Sequence, residues 1–270
     1  MSRLPKGPVT VRESYNELVS FLRYFRHHGT PVVIGGWAVY FYNPYYGSVD
    51  IDVVGPSMNG SFDEIIEAYE RSHGYEIMQR NPLGTEITAI KPIYSKGPRR
   101  RKVGNMEIDA CSYERSSASQ FHEDQSKCLP YSLCDRQVCR KEVRIAENAV
   151  CYVPSKALLI LFKLKAWRDR SHDIRTKGAT MDPGRLEWLR GKVVKDGADI
   201  VALLDPTDRG ALLTDGMDYS QLRDLAAEFA LTGLASDTLR SVLGDRGSLS
   251  LYGRSIDVQS LLKNVASIGR

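Results

Sequence analysis

Two short segments of the chain alternate with period two and set acids against aliphatic residues. In Ser48-Val49-Asp50-Ile51-Asp52-Val53-Val54, the side chains of Val49, Ile51 and Val53 fall on one face and those of Ser48, Asp50 and Asp52 on the other. Over residues 105–112, Met106, Ile108 and Ala110 point inward while Glu107 and Asp109 share the opposite face. Both segments are predicted as strands that bury one face and carry carboxylates on the other.

The surroundings of these strands alternate between helix and strand signals. Thr10 with Glu13 forms a capping box ahead of Tyr15, Leu18, Val19, Leu22 and Phe25 at helical spacing, and Gly29 closes that helix. Val32-Val33-Ile34 reads as a short buried strand, Gly35-Gly36 as a turn, and residues 37–40 as a brief helix stopped at Asn43-Pro44. A second capping box, Ser61 with Glu64, opens a helix ending near Gly74; residues 75–80 and 85–94 read as strands about the turn signal Asn81-Pro82. Residues 113–137 are polar and loop-like, and residues 138–145 and 149–153 read as closing strands.

Beyond Pro154 the pattern becomes helical. Ser155 is predicted to cap a helix over 156–172, and Asp182-Pro183 to start another toward Leu204, with a break at Gly197. Ser220, Ser236 and Ser255 precede three further helical patterns. The expected fold is α+β: a two-layer mixed β-sheet core over residues 1–153, then a mainly helical C-terminal domain over 154–270 that completes a cleft.

Composition bounds the function. With 270 residues, 42% hydrophobic and 26% charged, the chain has the make-up of an ordinary globular protein, which excludes fibrous and low-complexity classes. The longest apolar run is residues 157–162, far short of the roughly 20 residues of a membrane span, and residues 1–8 lack a signal-peptide core. The expectation is therefore a cytoplasmic protein without a membrane partner. Its net charge of +4 permits a phosphate-rich partner without requiring one. The five cysteines, Cys111, Cys128, Cys134, Cys139 and Cys151, are odd in number and are read as reduced thiols; with His122 they match no common zinc spacing.

Asp50 and Asp52, two apart on a strand, place Cα atoms about 6.5 to 7 Å apart and could share divalent cations. Hard oxygen donors of this kind suit Mg²⁺, with Mn²⁺ as a substitute, which completes its octahedron with water and substrate phosphates. Asp109 on a neighbouring strand would complete a site for one or two ions, Glu107 being the second choice. Gly35-Gly36 at a strand-to-helix turn permits close backbone approach and leaves amides for phosphate.

The order of these motifs, Ile34-Gly35-Gly36, then Ser48-Val49-Asp50-Ile51-Asp52-Val53, then Met106-Glu107-Ile108-Asp109-Ala110-Cys111, resembles the nucleotidyltransferase superfamily of the DNA polymerase β type. The resemblance implies that Gly35, Gly36 and Ser48 hold a triphosphate and that Asp50, Asp52 and Asp109 bind metal. Many relatives carry arginine where this chain has Tyr46. A second stretch, Lys163-Leu164-Lys165-Ala166 with Arg170, then Lys195-Asp196 with Asp199, resembles the AbiEii-like and MenT-like nucleotidyltransferase toxins. It implies that Lys163 and Arg170 meet nucleotide phosphate and that Asp196 or Asp199 orders the site. Lys163 and Arg170 are seven apart and share a helical face. Trp37 and Trp167 are read as core or pocket-wall residues.

The function implied is that of an Mg²⁺-dependent enzyme moving a nucleoside monophosphate from a nucleoside triphosphate to an acceptor hydroxyl, with Asp50, Asp52, Asp109 and Lys163 as catalytic residues. By the toxin resemblance the acceptor is a tRNA 3′ end and a cognate antitoxin is a partner; a small aminoglycoside-type molecule and a protein side chain are the alternatives. The basic segment Lys96, Arg99, Arg100, Arg101 and Lys102 is assigned to acceptor binding, because clustered cations neutralise backbone phosphates. A different class, an inactive nucleic-acid-binding module of the same fold, is disfavoured by the retention of all three carboxylates.

Overall fold

A computed structural model describes residues 9–55, 61–80, 86–94, 101–113, 120–207 and 212–268. The chain divides into two compact units, one comprising Met1–Arg115, Pro130–Ser155 and Gly210–Leu213, the other Ser116–Leu129, Lys156–Arg209 and Thr214–Arg270. The class is α+β, with a mixed sheet in the first unit and helices in the second.

The first unit contains α1 (Val9–Phe25), β1 (Val32–Val33), α2 (Gly35–Tyr42), β2 (Ile51–Gly55), α3 (Ser61–Ser72), β3 (Glu76–Arg80), β4 (Glu86–Tyr94), β5 (Lys102–Ser112), β6 (Arg140–Ala146) and β7 (Ala149–Pro154). The seven strands run in the order β3-β4-β5-β2-β1-β7-β6, with β2/β5 and β1/β7 parallel and the other pairs antiparallel. In β5 the alternation is realised as read: Met106, Ile108 and Ala110 are buried, and Glu107 and Asp109 are half-buried.

Helix α1 supplies the apolar stripe that covers this sheet, through Leu18, Phe21, Leu22 and Phe25, all buried. Each such side chain contributes about 1.5 to 3 kcal/mol by leaving water. Trp37 is fully buried in α2 and its indole N–H donates to Ser14 Oγ on α1 at 3.1 Å, which satisfies the one polar atom of the largest core side chain. Tyr42 donates to the carbonyl of Pro154 at 2.9 Å, tying the end of α2 to the end of β7.

The second unit contains α4 (Lys156–Lys177), α5 (Pro183–Leu204), α6 (Tyr219–Glu228), α7 (Thr232–Gly244), α8 (Arg246–Tyr252) and α9 (Val258–Ala266). Residues 120–129 are fastened to α4. The His122 amide donates to Asp169 at 2.9 Å, and Arg168 grips Glu123 while its other nitrogen reaches Thr238 Oγ1 at 2.8 Å. The Arg168 hydrogen bond holds the Glu123 carboxyl below its ordinary range.

Several expectations are corrected. Strand β2 starts at Ile51, not Ser48, so Asp50 lies just outside it and the strand spacing assumed for Asp50 and Asp52 does not apply. Helix α1 already begins at Val9, so Thr10 is not its cap, and α2 takes in Gly35 and Gly36 as its first turn. Residues 137–139 form a 3₁₀ turn ahead of β6, and α4 runs on past His172 to Lys177.

The serines expected to cap the last helices do not. Asp218 caps α6, Asp245 caps α8 and Asp257 caps α9, each carboxylate accepting the amide three residues on, whereas α7 follows Leu231 with no side-chain cap. Ser220 and Ser236 lie inside α6 and α7, Ser255 lies before the cap of α9, and α8 is a helix the spacing did not reveal. Helix α5 is unbroken at Gly197; a Cβ there would collide with Ser248 of α8, so this glycine lets two helices approach closely. Among the described residues no helix is long and apolar enough to cross a membrane. No disulfide joins any of the five cysteines; burial pushes the Cys134 and Cys151 thiols up.

Candidate active site

Strand register builds the first part of the site. On β2 and β5, parallel neighbours, Asp52 stands opposite Asp109. On β4 and β5, antiparallel neighbours, Asp109 stands opposite Thr88. Adjacent strands are about 4.8 Å apart, so Thr88, Asp109 and Asp52 form one row across three strands. Thr88 Oγ1 donates to Asp109 Oδ1 at 2.6 Å and fixes the orientation of that carboxylate. Glu107, one step back along β5, is opposite Ile90 and outside the row. Thr88 is a site residue the sequence did not announce; its signal, a polar residue on the solvent-side alternation of β4, becomes readable only with the register.

The row continues into the Gly-Gly turn. The Ile34 amide donates to the Asp52 carbonyl at 2.9 Å, so the residue that follows Ile34 is set beside the Asp52 side chain. That residue, Gly35, has φ +66°, and a Cβ on it would overlap the Asp52 carboxylate. Only glycine meets both demands. Ile34 caps α2 with extended backbone and offers no side-chain acceptor. The first amides of α2 therefore meet this end of the row with a partial positive charge. Ser48 is buried at 8% exposure and Asp50 is half-buried.

Whether these residues suit Mg²⁺ turns on the donor set. Among the described residues no group of three or more His, Cys, Asp or Glu is placed to hold a metal ion, so the expected three-carboxylate cage is not assembled. Mg²⁺ is commonly held by one or two carboxylates, with water and substrate phosphate completing its shell. Asp52 and Asp109, adjacent hard oxygen donors beside a glycine cradle, fit that mode.

The second unit assembles a different cluster. Lys163 on α4 is buried, with Nζ 2.7 Å from Asp199 and 3.4 Å from Asp196 on α5. Arg170, two turns further along α4, also pairs with Asp196, and Lys195 reaches Asp199 at 3.0 Å. The four residues expected from the helical motif, Lys163, Arg170, Asp196 and Asp199, are thus gathered, and Lys195 joins them. Breaking such a pair leaves a buried charge uncompensated, so the cluster acts as a unit.

Of the basic segment, Lys96, Arg99 and Arg100 lie outside the described residues. Arg101 and Lys102 are exposed, and Lys102 is the first residue of β5, opposite Tyr94. His122, weighed with the cysteines, pairs instead with Asp173 at 3.2 Å.

The fold and site together define an α+β protein with a carboxylate pair facing a glycine-opened helix start. No family model and no curated protein matches the chain. Among solved structures it is similar to the Helicobacter pylori protein JHP933, at 12% identity and a TM-score of 0.37, over 92% of this chain and 100% of that one. It is also similar to a provisionally named nucleotidyltransferase from H. pylori, at 12% identity and a TM-score of 0.35, over 85% of this chain and 96% of that one. Likeness at this level carries no functional weight, which rests on the residues of the site.

Proposed function

We propose that the protein is a nucleotidyltransferase that moves a nucleoside monophosphate from a nucleoside triphosphate to an acceptor hydroxyl, with Mg²⁺ as its cofactor. The observation that supports this most is the register pair Asp52 and Asp109, with Gly35 shaped around the Asp52 carboxylate. Asp52 and Asp109 would hold the ion; bound there, it would supply Lewis-acid stabilisation of charge on the reacting phosphate. The amides of Gly35 and Gly36 at the start of α2 would receive phosphate oxygens, and Ser48 would add a hydroxyl.

In the transfer, the acceptor oxygen bonds to the α-phosphorus, the bond from that phosphorus to the bridging oxygen of the β-phosphate breaks, and pyrophosphate leaves as the hydroxyl proton passes to solvent. Thr88 keeps Asp109 from rotating away from Asp52. For the helical unit the proposal is separate: Lys163 and Arg170, ordered by Asp196 and Asp199, offer cations to nucleotide phosphate. The proposed acceptor is a tRNA 3′ end, and the proposed partner an antitoxin.

The test is incubation with each labelled nucleoside triphosphate, Mg²⁺ and total RNA. Transfer of label to RNA that disappears in Asp52→Asn is the expected result. Absence of transfer to RNA, protein or small hydroxylated molecules by the intact protein would overturn the proposal.

A further inference from the structure

One exposed feature of the helical unit is untouched by the chemistry above. The chain has three tryptophans, and whereas Trp37 is fully buried, Trp188 on α5 is 45% exposed. Its ring is flanked by two cations of its own helix: the Arg185 guanidinium carbon lies 4.2 Å from the ring centroid and Lys192 Nζ lies 5.3 Å from it. These contacts set two cations against the exposed indole.

Residues 185, 188, 192 and 195 are spaced three, four and three apart, so Arg185, Trp188, Lys192 and Lys195 share one face of α5. The start of that face is rigid, since Pro183 opens α5 and the Asp182 side chain accepts the Arg185 amide at 2.9 Å. Between residues 183 and 195, four cations (Arg185, Arg190, Lys192 and Lys195) stand against one acid, Glu187.

We infer that this face of α5 binds single-stranded nucleic acid, with an unpaired base stacked on Trp188 and the adjoining phosphates on Arg185 and Lys192. Only an anion with a flat face satisfies both parts of the surface. Acidic protein segments would use the cations and leave the indole unmatched, and a duplex has no free base face to offer. Stacking of a base on an aromatic ring outweighs an exposed cation–π contact, so a base can displace one flanking cation, which then turns to phosphate. Binding of this kind needs no transfer chemistry and stands apart from the reaction proposed above.

The test uses the intact chain with short oligouridylate, oligothymidylate, a duplex of the same length, and polyphosphate of matched charge. Either single strand should quench the tryptophan emission and bind more tightly than duplex or polyphosphate; tighter binding of the ribo form would assign the strand as RNA. Trp188→Ala should weaken single-strand binding roughly tenfold. Arg185→Glu with Lys192→Glu should weaken it further and flatten the dependence of log affinity on log salt by roughly 1.4. Because both positions are on the helix surface, circular dichroism should be unchanged in the variants. Unaltered affinity in Trp188→Ala, lack of quenching in the intact protein, or equal binding of polyphosphate would overturn the assignment.

Discussion

The two carboxylate clusters of this protein are built by opposite means. In the helical unit, Asp196 and Asp199 are held by side chains: Lys163, Lys195 and Arg170 reach them, and burial makes each pairing a condition of the fold. In the sheet unit, Asp52 and Asp109 are held by backbone: parallel register sets them side by side, Gly35 makes room for one and the Thr88 hydroxyl turns the other. Carboxylates ordered by charge are part of the stability of their unit. Carboxylates ordered by register can lose their charge and leave the sheet standing.

The largest test of that contrast pairs Asp52→Asn with Asp199→Asn. Asp52→Asn should lower nucleotidyl transfer by at least roughly 10²- to 10³-fold while the denaturation midpoint stays in place. Asp199→Asn should lower stability by about 3 kcal/mol, read from urea unfolding, because Lys163 loses its nearest partner in a buried setting. If Asp52→Asn unfolds the protein, or Asp199→Asn leaves the midpoint unmoved, the two clusters do not differ as described. Gly35→Ala should resemble neither. Its Cβ would meet the Asp52 carboxylate and its φ is positive, so it should reduce both stability, by about 1 to 3 kcal/mol, and transfer.

A third carboxylate sharpens the comparison by having neither device. Glu70 on α3 is fully buried, and neither of its carboxylate oxygens has a hydrogen-bond partner among the described residues. Burial, then the neighbouring Glu67 charge, pushes its carboxyl up to about 8, against a smaller opposing effect of Arg71. The unfolded chain would release this proton near pH 4.5 and the folded chain only near 8, so the folded state holds more protons between those values. Stability should therefore fall as pH rises from about 4.5 to about 8 and level off above. Glu70→Gln should flatten that slope in denaturant melts at pH 5, 7 and 9; a slope identical to that of the parent protein would show that Glu70 is ionised in the fold.

Much of this was legible in the sequence where it depends on neighbours along the chain. Period-two alternation marked the buried residues of β5, and the change to helical spacing after Pro154 marked the start of the helices. The misreadings share a cause in contacts that no local pattern encodes. Gly197 looks like a helix break, yet it answers to Ser248, some fifty residues away. Aspartate caps were overlooked for nearby serines because both residue types suit the position and only the chain's path chooses. Asp50 alternates with Asp52 in sequence, but strand pairing begins one residue after it. The flanking of Trp188 by Arg185 and Lys192 was available from spacing alone, whereas its exposure was not.

Thr88 gives the smallest and most discriminating expectation. Its hydroxyl donates to Asp109 within the row, and its β-branched shape suits the half-buried face of β4 whether or not the hydroxyl is there. Thr88→Val keeps that shape and removes the donor. If Asp109 owes its orientation to this bond, transfer should fall roughly tenfold, as when a partner that orients a ligand is removed, with stability within about 1 kcal/mol of the parent. Thr88→Ser, which restores the donor, should recover most of the loss. Equal activity in Thr88→Val and the parent would mean that register alone orients Asp109; equal losses in the valine and serine variants would assign the effect to packing on β4.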